Sequence, residues 1–207
     1  MLHNKKISVV IPVYNVGETI LDFLNKIPDY VDKIYLIDDC CPMSTGTIAK
    51  ESKVNPSKLS IIFNKKNLGV GGSVKIGYEK SLLDKSDIVV KIDGDNQMDP
   101  KEIENLLIPI ISGDCDYSKG NRFINKNEIE NYPLARFYGN IFLSFMSKLS
   151  SGYWDVFDPI NGFTAIKLDV LKKINIKNVD NRYFFETDML FNLYLNNVRV
   201  KDIPVEI

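Results

Sequence analysis

The sequence is poor in the residues that support disulfide frameworks and zinc sites. The 207-residue chain contains three cysteines and one histidine. Cys40 and Cys41 are sequence neighbours, Cys115 is isolated, and no cysteine belongs to a Cys-x-x-Cys motif. These counts argue against a disulfide framework, leave no readable zinc site and favour a reducing, cytoplasmic compartment.

A large excess of one charge and long hydrophobic runs are also missing. Lysine and arginine total 26 against 27 acidic residues, so no basic field points to nucleic acid as a partner. No run of apolar residues is long enough to span a membrane. The apolar run at 7–13 is too short for a signal peptide. Arginine is scarce, four residues against 22 lysines, so each arginine merits inspection.

The composition that is present is typical of a folded, soluble domain, with 44% hydrophobic and 26% charged residues. The length predicts a single domain over residues 1–207, with a regular half at 1–112 and a less regular half at 113–207. The chain stops at Ile207 inside a predicted strand. We therefore expect a longer parent protein, in which a missing C-terminal segment would offer a route to membrane association.

The first half alternates strand and helix patterns, which predicts an α/β fold with a mostly parallel central sheet and helices on both faces. The second half predicts a strand, an amphipathic helix, a further helix and a last strand. The predicted strands are 7–13, 33–37, 59–63, 87–92, 116–123 and 198–207, and the main predicted helices are 44–54, 70–83, 134–149 and 186–196.

Polar residues follow the predicted strands, and in such sheets ligands bind beyond the carboxyl ends of the strands. Asp93 and Asp95 leave a buried strand together and can share a hard divalent cation, with Gln97 as a further ligand. The alternative is an ordinary polar turn, since Asp, Gly and Asn favour turns. Asp38 and Asp39 can accept from a nucleobase or a ribose hydroxyl, or cap the following helix.

A glycine-rich segment opens the helix after the third predicted strand. It begins at Asn67 and contains Gly69, Gly71 and Gly72. Its backbone N–H groups are candidates for binding phosphate at a helix start. The alternative is a tight turn with close helix packing. The segment matches neither G-x-G-x-x-G nor the P-loop pattern, which disfavours a dehydrogenase.

Four motifs in this order resemble those of the family 2 glycosyltransferases with a GT-A fold. They are Val9-Val-Ile-Pro-Val-Tyr-Asn15, Ile37-Asp-Asp39, Asn67-Leu-Gly69 with Gly71-Gly72, and Asp93-Gly-Asp95. The resemblance implies an inverting, metal-dependent transferase that uses Mg²⁺ or Mn²⁺ and a UDP- or GDP-sugar, bound by the half at 1–112. Many members carry Glu where this chain has Val16, and Glu18 is the candidate substitute. The implied nucleotide-sugar contacts are Pro12, Tyr14, Asn15, Glu18, Asp38, Asp39, Asn67, Gly69, Gly72, Asp93 and Gly94.

Within the family, the chain looks most like the polyprenyl-phosphate sugar transferases of the dolichol-phosphate mannose synthase type. Gly120-Asn-Arg122 resembles their Gly-x-Arg motif, and Arg136 opens a helix at a similar position. The resemblance implies that the two arginines hold the phosphate of a lipid acceptor at the cytoplasmic face of a membrane. The arginine fork suits phosphate oxygens, although a surface salt bridge is the alternative for each.

Glu186 and Asp188 resemble an acidic motif of the family, but Thr187 separates two residues that are adjacent there. A sugar hydroxyl acceptor needs a general base, and these carboxylates are the candidates. A lipid phosphate needs none. The turn at Asn161-Gly162 resembles a sugar- or acceptor-site loop, or is a plain turn. The alternatives are transfer to a sugar hydroxyl in cell-surface polysaccharide assembly, a sugar nucleotidyltransferase and a non-catalytic carbohydrate-binding module.

Overall fold

The computed structural model of the protein describes residues 1–122, 139, 145, 146 and 148–205. The described residues form seven strands: β1 Ile7–Val13, β2 Lys33–Asp38, β3 Leu59–Phe63, β4 Ile88–Lys91, β5 Tyr117–Asn121, β6 Thr164–Lys167 and β7 Val200–Pro204. The helices used below are α1 Thr19–Asn25, α2 Thr45–Ile48, α3 Gly69–Leu83, α4 Ile103–Ile111, α5 Leu168–Lys173 and α6 Phe185–Leu195.

The strands form one mixed sheet in the order β3-β2-β1-β4-β6-β5-β7. β1 pairs in parallel with β2 and β4, and β2 pairs in parallel with β3. β6 runs antiparallel to both β4 and β5, whereas β7 is parallel to β5. The mostly parallel α/β sheet is therefore confirmed. The first four strands, which are neighbours, end at one edge of the sheet.

The core lies on both faces of the sheet, because the buried strand β1 alternates its side chains between them. Val9 and Ile11 belong to one apolar cluster, which also holds Phe23 of α1 and Leu107 of α4. Val10 belongs to the other cluster, which holds Tyr78 of α3, Leu171 of α5 and Leu190 of α6. A continuous β-branched run thus indicates a strand covered by helices on both sides, as predicted.

Several element boundaries differ from those predicted. The predicted helix at 44–54 is only α2 with a 3-10 turn at Ala49–Glu51, since Ser44 is left-handed at φ 54° and Ser52 is extended. Two threonines and an isoleucine make α2 a weak helix former. The last strand begins at Val200, because the amide of Val198 still bonds to the Leu193 carbonyl of α6. Most of the predicted helix at 134–149 and the end of the last strand lie outside the described residues.

The helices are short, and the longest of those named, α3, has 15 residues. Crossing the hydrocarbon core of a bilayer takes about 20 consecutive, mostly apolar residues. Within the described ranges, no helix combines the length and the apolar content that a crossing requires.

α3 packs unusually close to β1 through Gly77. A Cβ atom at this position would overlap Cγ1 of Val10 and lie 2.8 Å from its Cγ2. One turn later, the hydroxyls of Ser81 and Ser8 hydrogen-bond at 2.9 Å. The close approach fixes the start of α3 beside the carboxyl ends of the strands.

Gly77→Ala is expected to destabilise the protein, because the new methyl group overlaps Val10. Overpacking typically costs about 1–3 kcal/mol, partly offset by about 1 kcal/mol of better helix propensity. Urea unfolding measures the net change. A Val10→Ala background removes both Cγ atoms and leaves only the Cβ, 3.0 Å from the new methyl, so Gly77→Ala is expected to cost less there. An equal cost in both backgrounds would show that the contact with Val10 is not the cause.

Candidate active site

A cavity of about 680 Å³ opens at the carboxyl ends of β1, β2 and β4. This is the edge at which the sequence predicts a ligand cleft. Its walls are formed by the segments at the ends of β1, β2 and β4, by the start of α3 and by the residues before α6. The described residues that line it are Pro12, Val13, Tyr14, Val16, Asp39, Asn67, Gly69, Val70, Ser73, Asp93, Gly94, Asp95, Arg182 and Tyr183.

The end of β1 and the segment after it bring Pro12 and Tyr14 to the cavity and leave Asn15 and Glu18 outside its lining. The Asn15 amide donates to Sγ of Cys41 at 3.1 Å, in a left-handed backbone conformation with φ 58°. Gly17 follows at φ 67°, and its amide donates to Oγ1 of Thr45 at 2.9 Å. This turn points Glu18 into solvent at the start of α1.

The two aspartates at the end of β2, Asp38 and Asp39, have different surroundings. Asp38 accepts from the amides of Cys41 and Gly46, both at 2.7 Å, and so holds the loop that leads into α2. Asp39 lines the cavity and accepts from the amides of Leu68 and Gly69, both at 2.8 Å. The Asn64 side chain donates to the same carboxylate at 2.8 Å. Asp39 therefore joins the end of β2 to the start of α3.

The glycines that open α3 allow another segment of backbone to approach it. Gly69 has φ 82°, and a Cβ there would lie 2.5 Å from the carbonyl oxygen of Asn181. A Cβ on Gly71 would lie equally close to the Asp180 carbonyl, and the Gly72 amide donates to the Asn181 carbonyl at 3.0 Å. Close packing is thus the visible role of these glycines. Asn67 and Gly69 line the cavity, whereas Gly72 does not.

Asp93 and Asp95 both line the cavity, with Gly94 between them. Desolvation by neighbouring protein atoms, and then the negative charge of Asp93, raise the pKa of Asp95 above its ordinary value. A cation bound between the two carboxylates would relieve this repulsion. Gln97 is exposed and does not line the cavity, and its amide donates to Oδ1 of Asp95 at 3.1 Å.

The donor set at this place fits a magnesium-type ion. The described residues contain no group of three or more His, Cys, Asp or Glu side chains arranged for a metal. Mg²⁺ commonly uses only one or two protein carboxylates and completes its shell with waters and substrate phosphates. The pair formed by Asp93 and Asp95 is therefore sufficient for an ion that arrives with a phosphorylated ligand.

Arg122 lies at the end of β5 and is held by a buried aspartate. Its Nε donates to Oδ2 of Asp158 at 2.7 Å, and its Nη2 donates to Oδ1 at 3.0 Å. Asp158 is fully buried, so this fork fixes the plane of the guanidinium group. Arg122 is not among the described residues that line the large cavity. Arg136 lies outside the described residues.

Glu186 and Asp188 stand in the first turn of α6, and neither is among the residues lining the cavity. Oε1 of Glu186 accepts from Nζ of Lys91 at 2.6 Å, and its Oε2 lies 3.7 Å from Nζ of Lys119. Asp188 accepts from the amide of Asp180 at 2.7 Å and from the Asn192 side chain at 3.2 Å. Both carboxylates are therefore engaged within the protein.

Sequence reasoning missed Arg182, Tyr183, Ser73 and Lys91. Arg182 and Tyr183 reach the cavity from the second half of the chain, so the predicted first half does not form it alone. The scarcity of arginine was a signal for Arg182. The signal for Lys91 was a lysine inside an otherwise apolar strand sequence, Ile88-Val-Val-Lys-Ile92.

Comparison with known proteins agrees with this architecture. The sequence model of the family described as "Glycosyl transferase family 2" matches residues 8–175. The UDP-N-acetylglucosamine–dolichyl-phosphate N-acetylglucosaminyltransferase of Methanococcus voltae is 30% identical, over 98% of this chain and 86% of that protein. The undecaprenyl-phosphate mannosyltransferase of Micrococcus luteus is 23% identical, over 97% of this chain and 82% of that protein.

A similar fold occurs in solved structures. The glucosyl-3-phosphoglycerate synthase of Mycobacterium tuberculosis, in complex with Mn²⁺, UDP and phosphoglyceric acid, superposes with a TM-score of 0.71 at 19% identity. The match covers 99% of this chain and 70% of that one. At this identity the likeness concerns the fold alone, and it confirms the predicted GT-A architecture.

Asp39→Asn is expected to destabilise the protein by about 1–3 kcal/mol, the cost of leaving a buried hydrogen-bonding group unsatisfied. Asparagine offers one acceptor oxygen in place of two, so it cannot accept from both amides; the Gly69 amide also donates to Oδ1 of Asn67 at 3.2 Å, so the larger loss is expected at the Leu68 amide. Urea unfolding measures the change. The exposed variant Asp29→Asn is the control, with an expected change within about 0.5 kcal/mol. Equal values for the two variants would contradict this role of Asp39.

Proposed function

The chain belongs to glycosyl transferase family 2, and on that premise we propose that it transfers a sugar from a nucleotide diphosphate to a polyprenyl phosphate. The observation that carries the proposal is the arrangement of three carboxylates, Asp39, Asp93 and Asp95, around one cavity with Arg182. A volume of about 680 Å³ suits a ligand of nucleotide-sugar size.

The donor would lie with its nucleoside near Asp39 and its diphosphate near Asp95. Tyr14 and Asn67 also line the cavity and offer a ring face and a polar amide. Among the described residues that line the cavity, Arg182 is the cationic one and would pair with the diphosphate. The M. tuberculosis structure with Mn²⁺ and UDP supports this combination of fold, cation and nucleotide.

Asp93 and Asp95 would hold Mg²⁺ or Mn²⁺. When bound, such an ion neutralises the charge that builds up on the departing diphosphate. The chain's own contribution is to bring the two carboxylates at one strand end and Arg182 to the same cavity. In the transfer itself, an acceptor oxygen forms a bond to the anomeric carbon while the bond to the diphosphate breaks. Direct displacement inverts the configuration at that carbon.

The surroundings of Glu186 and Asp188 favour a phosphate acceptor over a sugar hydroxyl. A hydroxyl must lose its proton to a base within hydrogen-bonding reach. Both candidate bases are occupied by other groups of the protein and lie outside the cavity lining. A phosphate monoester is already largely ionised at neutral pH, because its second pKa is about 6.

The related proteins support the same acceptor, since the two described above are named for dolichyl-phosphate and undecaprenyl-phosphate substrates. We assign Arg122 and Arg136 to the acceptor phosphate. The carboxylate of Asp158 fixes the guanidinium plane of Arg122. A polyprenyl chain is anchored in a membrane, so the protein would work at the cytoplasmic face of one. Membership of glycosyl transferase family 2 argues against the two alternatives of another class, a sugar nucleotidyltransferase and a non-catalytic carbohydrate-binding module.

Nucleotide-sugar binding is expected to depend on a divalent cation and on Asp95. Calorimetric titration of UDP-glucose, UDP-N-acetylglucosamine and GDP-mannose should show one donor that binds with Mn²⁺ and not with EDTA. Asp95→Asn removes a cation ligand and is expected to weaken that binding by about tenfold or more. Asp114→Asn, an exposed carboxylate outside the cavity lining, is the control. Equal binding by both variants would contradict the metal assignment.

Arg122→Lys is expected to raise the KM for a short-chain polyprenyl phosphate by about tenfold, because lysine keeps a positive charge and loses the two hydrogen bonds to Asp158 that orient the guanidinium group. The KM for the donor should stay unchanged in the same steady-state assay. Arg199→Lys is the control, since Nε and Nη2 of Arg199 donate two similar hydrogen bonds to the carboxylate of Asp116, at 2.9 and 3.0 Å. A parallel rise in the donor KM would place Arg122 in the fold or the donor site instead.

A further inference from the structure

A cluster of four charged side chains lies beneath the cavity. Lys91 is 1% exposed, and its Nζ lies 3.0 Å from Oδ1 of Asp93 and 2.6 Å from Oε1 of Glu186. Lys119 is fully buried, lies 3.7 Å from Oε2 of Glu186 and donates to the Asn161 carbonyl. Two ammonium groups thus face two carboxylates, and Asp93 is the member that reaches the cavity.

Buried charges are costly unless they are paired and hydrogen-bonded. Lys91 is therefore held in place from two sides, by Glu186 of α6 and by Asp93. The same contacts restrain Asp93, because moving its carboxylate would remove one partner of a buried ammonium group. An aspartate with only solvent around it would have no such restraint.

Gly162 closes the cluster from a third side. A Cβ atom at Gly162 would overlap both Oδ2 of Asp93 and Nζ of Lys91. The neighbouring Asn161 carbonyl accepts from Lys119, so the same loop contacts both lysines. The loop before β6 therefore packs directly against the carboxylate of Asp93.

We propose that Lys91 is a positioning residue for Asp93, the carboxylate assigned to the metal, and that Glu186 is the counter-ion that balances its charge. This inference rests on the function proposed above. Glu186 then acts through Lys91 and Asp93 rather than as a general base. The rival explanation is a buried ion pair that supports only the fold.

The test must separate orientation from charge, since removing Lys91 alone would also remove a positive charge beside the cation. The double variants Lys91→Met/Glu186→Gln and Lys91→Gln/Glu186→Gln leave the net charge of the cluster unchanged. In both, the glutamine at 186 still offers Lys119 an acceptor. The control is Lys172→Met/Asp169→Asn, which removes a 3.0 Å ion pair away from the cavity lining without changing the net charge.

Mn²⁺ affinity in the presence of UDP or GDP is measured by the electron paramagnetic resonance signal of free Mn²⁺, at a temperature where circular dichroism shows each protein folded. Loss of a residue that orients a metal ligand typically weakens metal binding by about 10- to 100-fold, and we expect this for both cluster variants. The control should bind Mn²⁺ as the wild type does. A folded cluster variant with wild-type Mn²⁺ affinity overturns the proposal.

The wild-type protein provides a second measurement that does not depend on variants that fold. Nuclear magnetic resonance of the lysine side chains should show the Lys91 signal shifting as Mg²⁺ and the nucleotide saturate. An unchanged Lys91 signal at saturation overturns the positioning role and leaves the proposed function standing. Failure of the wild type to bind Mn²⁺ with any nucleotide overturns the proposed function, and this inference with it.

Discussion

The buried ion pair between Lys91 and Glu186 joins the two halves of the chain at the place where the cavity forms. Lys91 ends β4 in the first half, and Glu186 begins α6 in the second, 95 residues later. Because an unpaired charge is not tolerated at this depth, the start of α6 must lie against the end of β4. The segment just before α6 then forms part of the cavity wall, to which it contributes Arg182 and Tyr183.

The wall next to this segment depends on Asp39 and on the glycines that open α3. The Asp39 carboxylate accepts hydrogen bonds from the Leu68 and Gly69 amides at the start of this helix. The first amides of a helix have no partner within the helix itself. Gly69 and Gly71 then leave room for the backbone of residues 180–181 to pack directly on the helix. Lys75 adds hydrogen bonds to the carbonyls of Lys177 and Val179. The segment that carries Arg182 is thus fixed from α3 as well as from α6.

The parts of the fold that the sequence predicts well are those with a local cause. Continuous β-branched runs predict buried strands, and polar residues after them predict the ligand edge, because parallel strands end together. The roles of Asp38 and Asp39 are not predictable this way. Two adjacent carboxylates look alike in sequence, and only the turn after β2 sends one to the α2 loop and the other to α3. The contacts of Lys91 and Arg182 join residues that are far apart in the sequence, and no local pattern identifies their partners.

The same long-range contacts bear on the acceptor. The two carboxylates at the start of α6 resemble a family motif and are candidates for a catalytic base. In the structure, however, both make contacts with other groups of the protein. Glu186 neutralises buried lysines, and Asp188 holds the Asp180 amide and so the segment before α6. Moving these carboxylates toward an acceptor would break the contacts that hold α6 and the segment before it. An acceptor that arrives already ionised needs no such movement, and its charge calls for fixed cations instead. Arg122 has a fixed orientation, since the fully buried carboxylate of Asp158 sets its guanidinium plane. Chemistry at the acceptor would then depend on orientation and charge rather than on proton transfer.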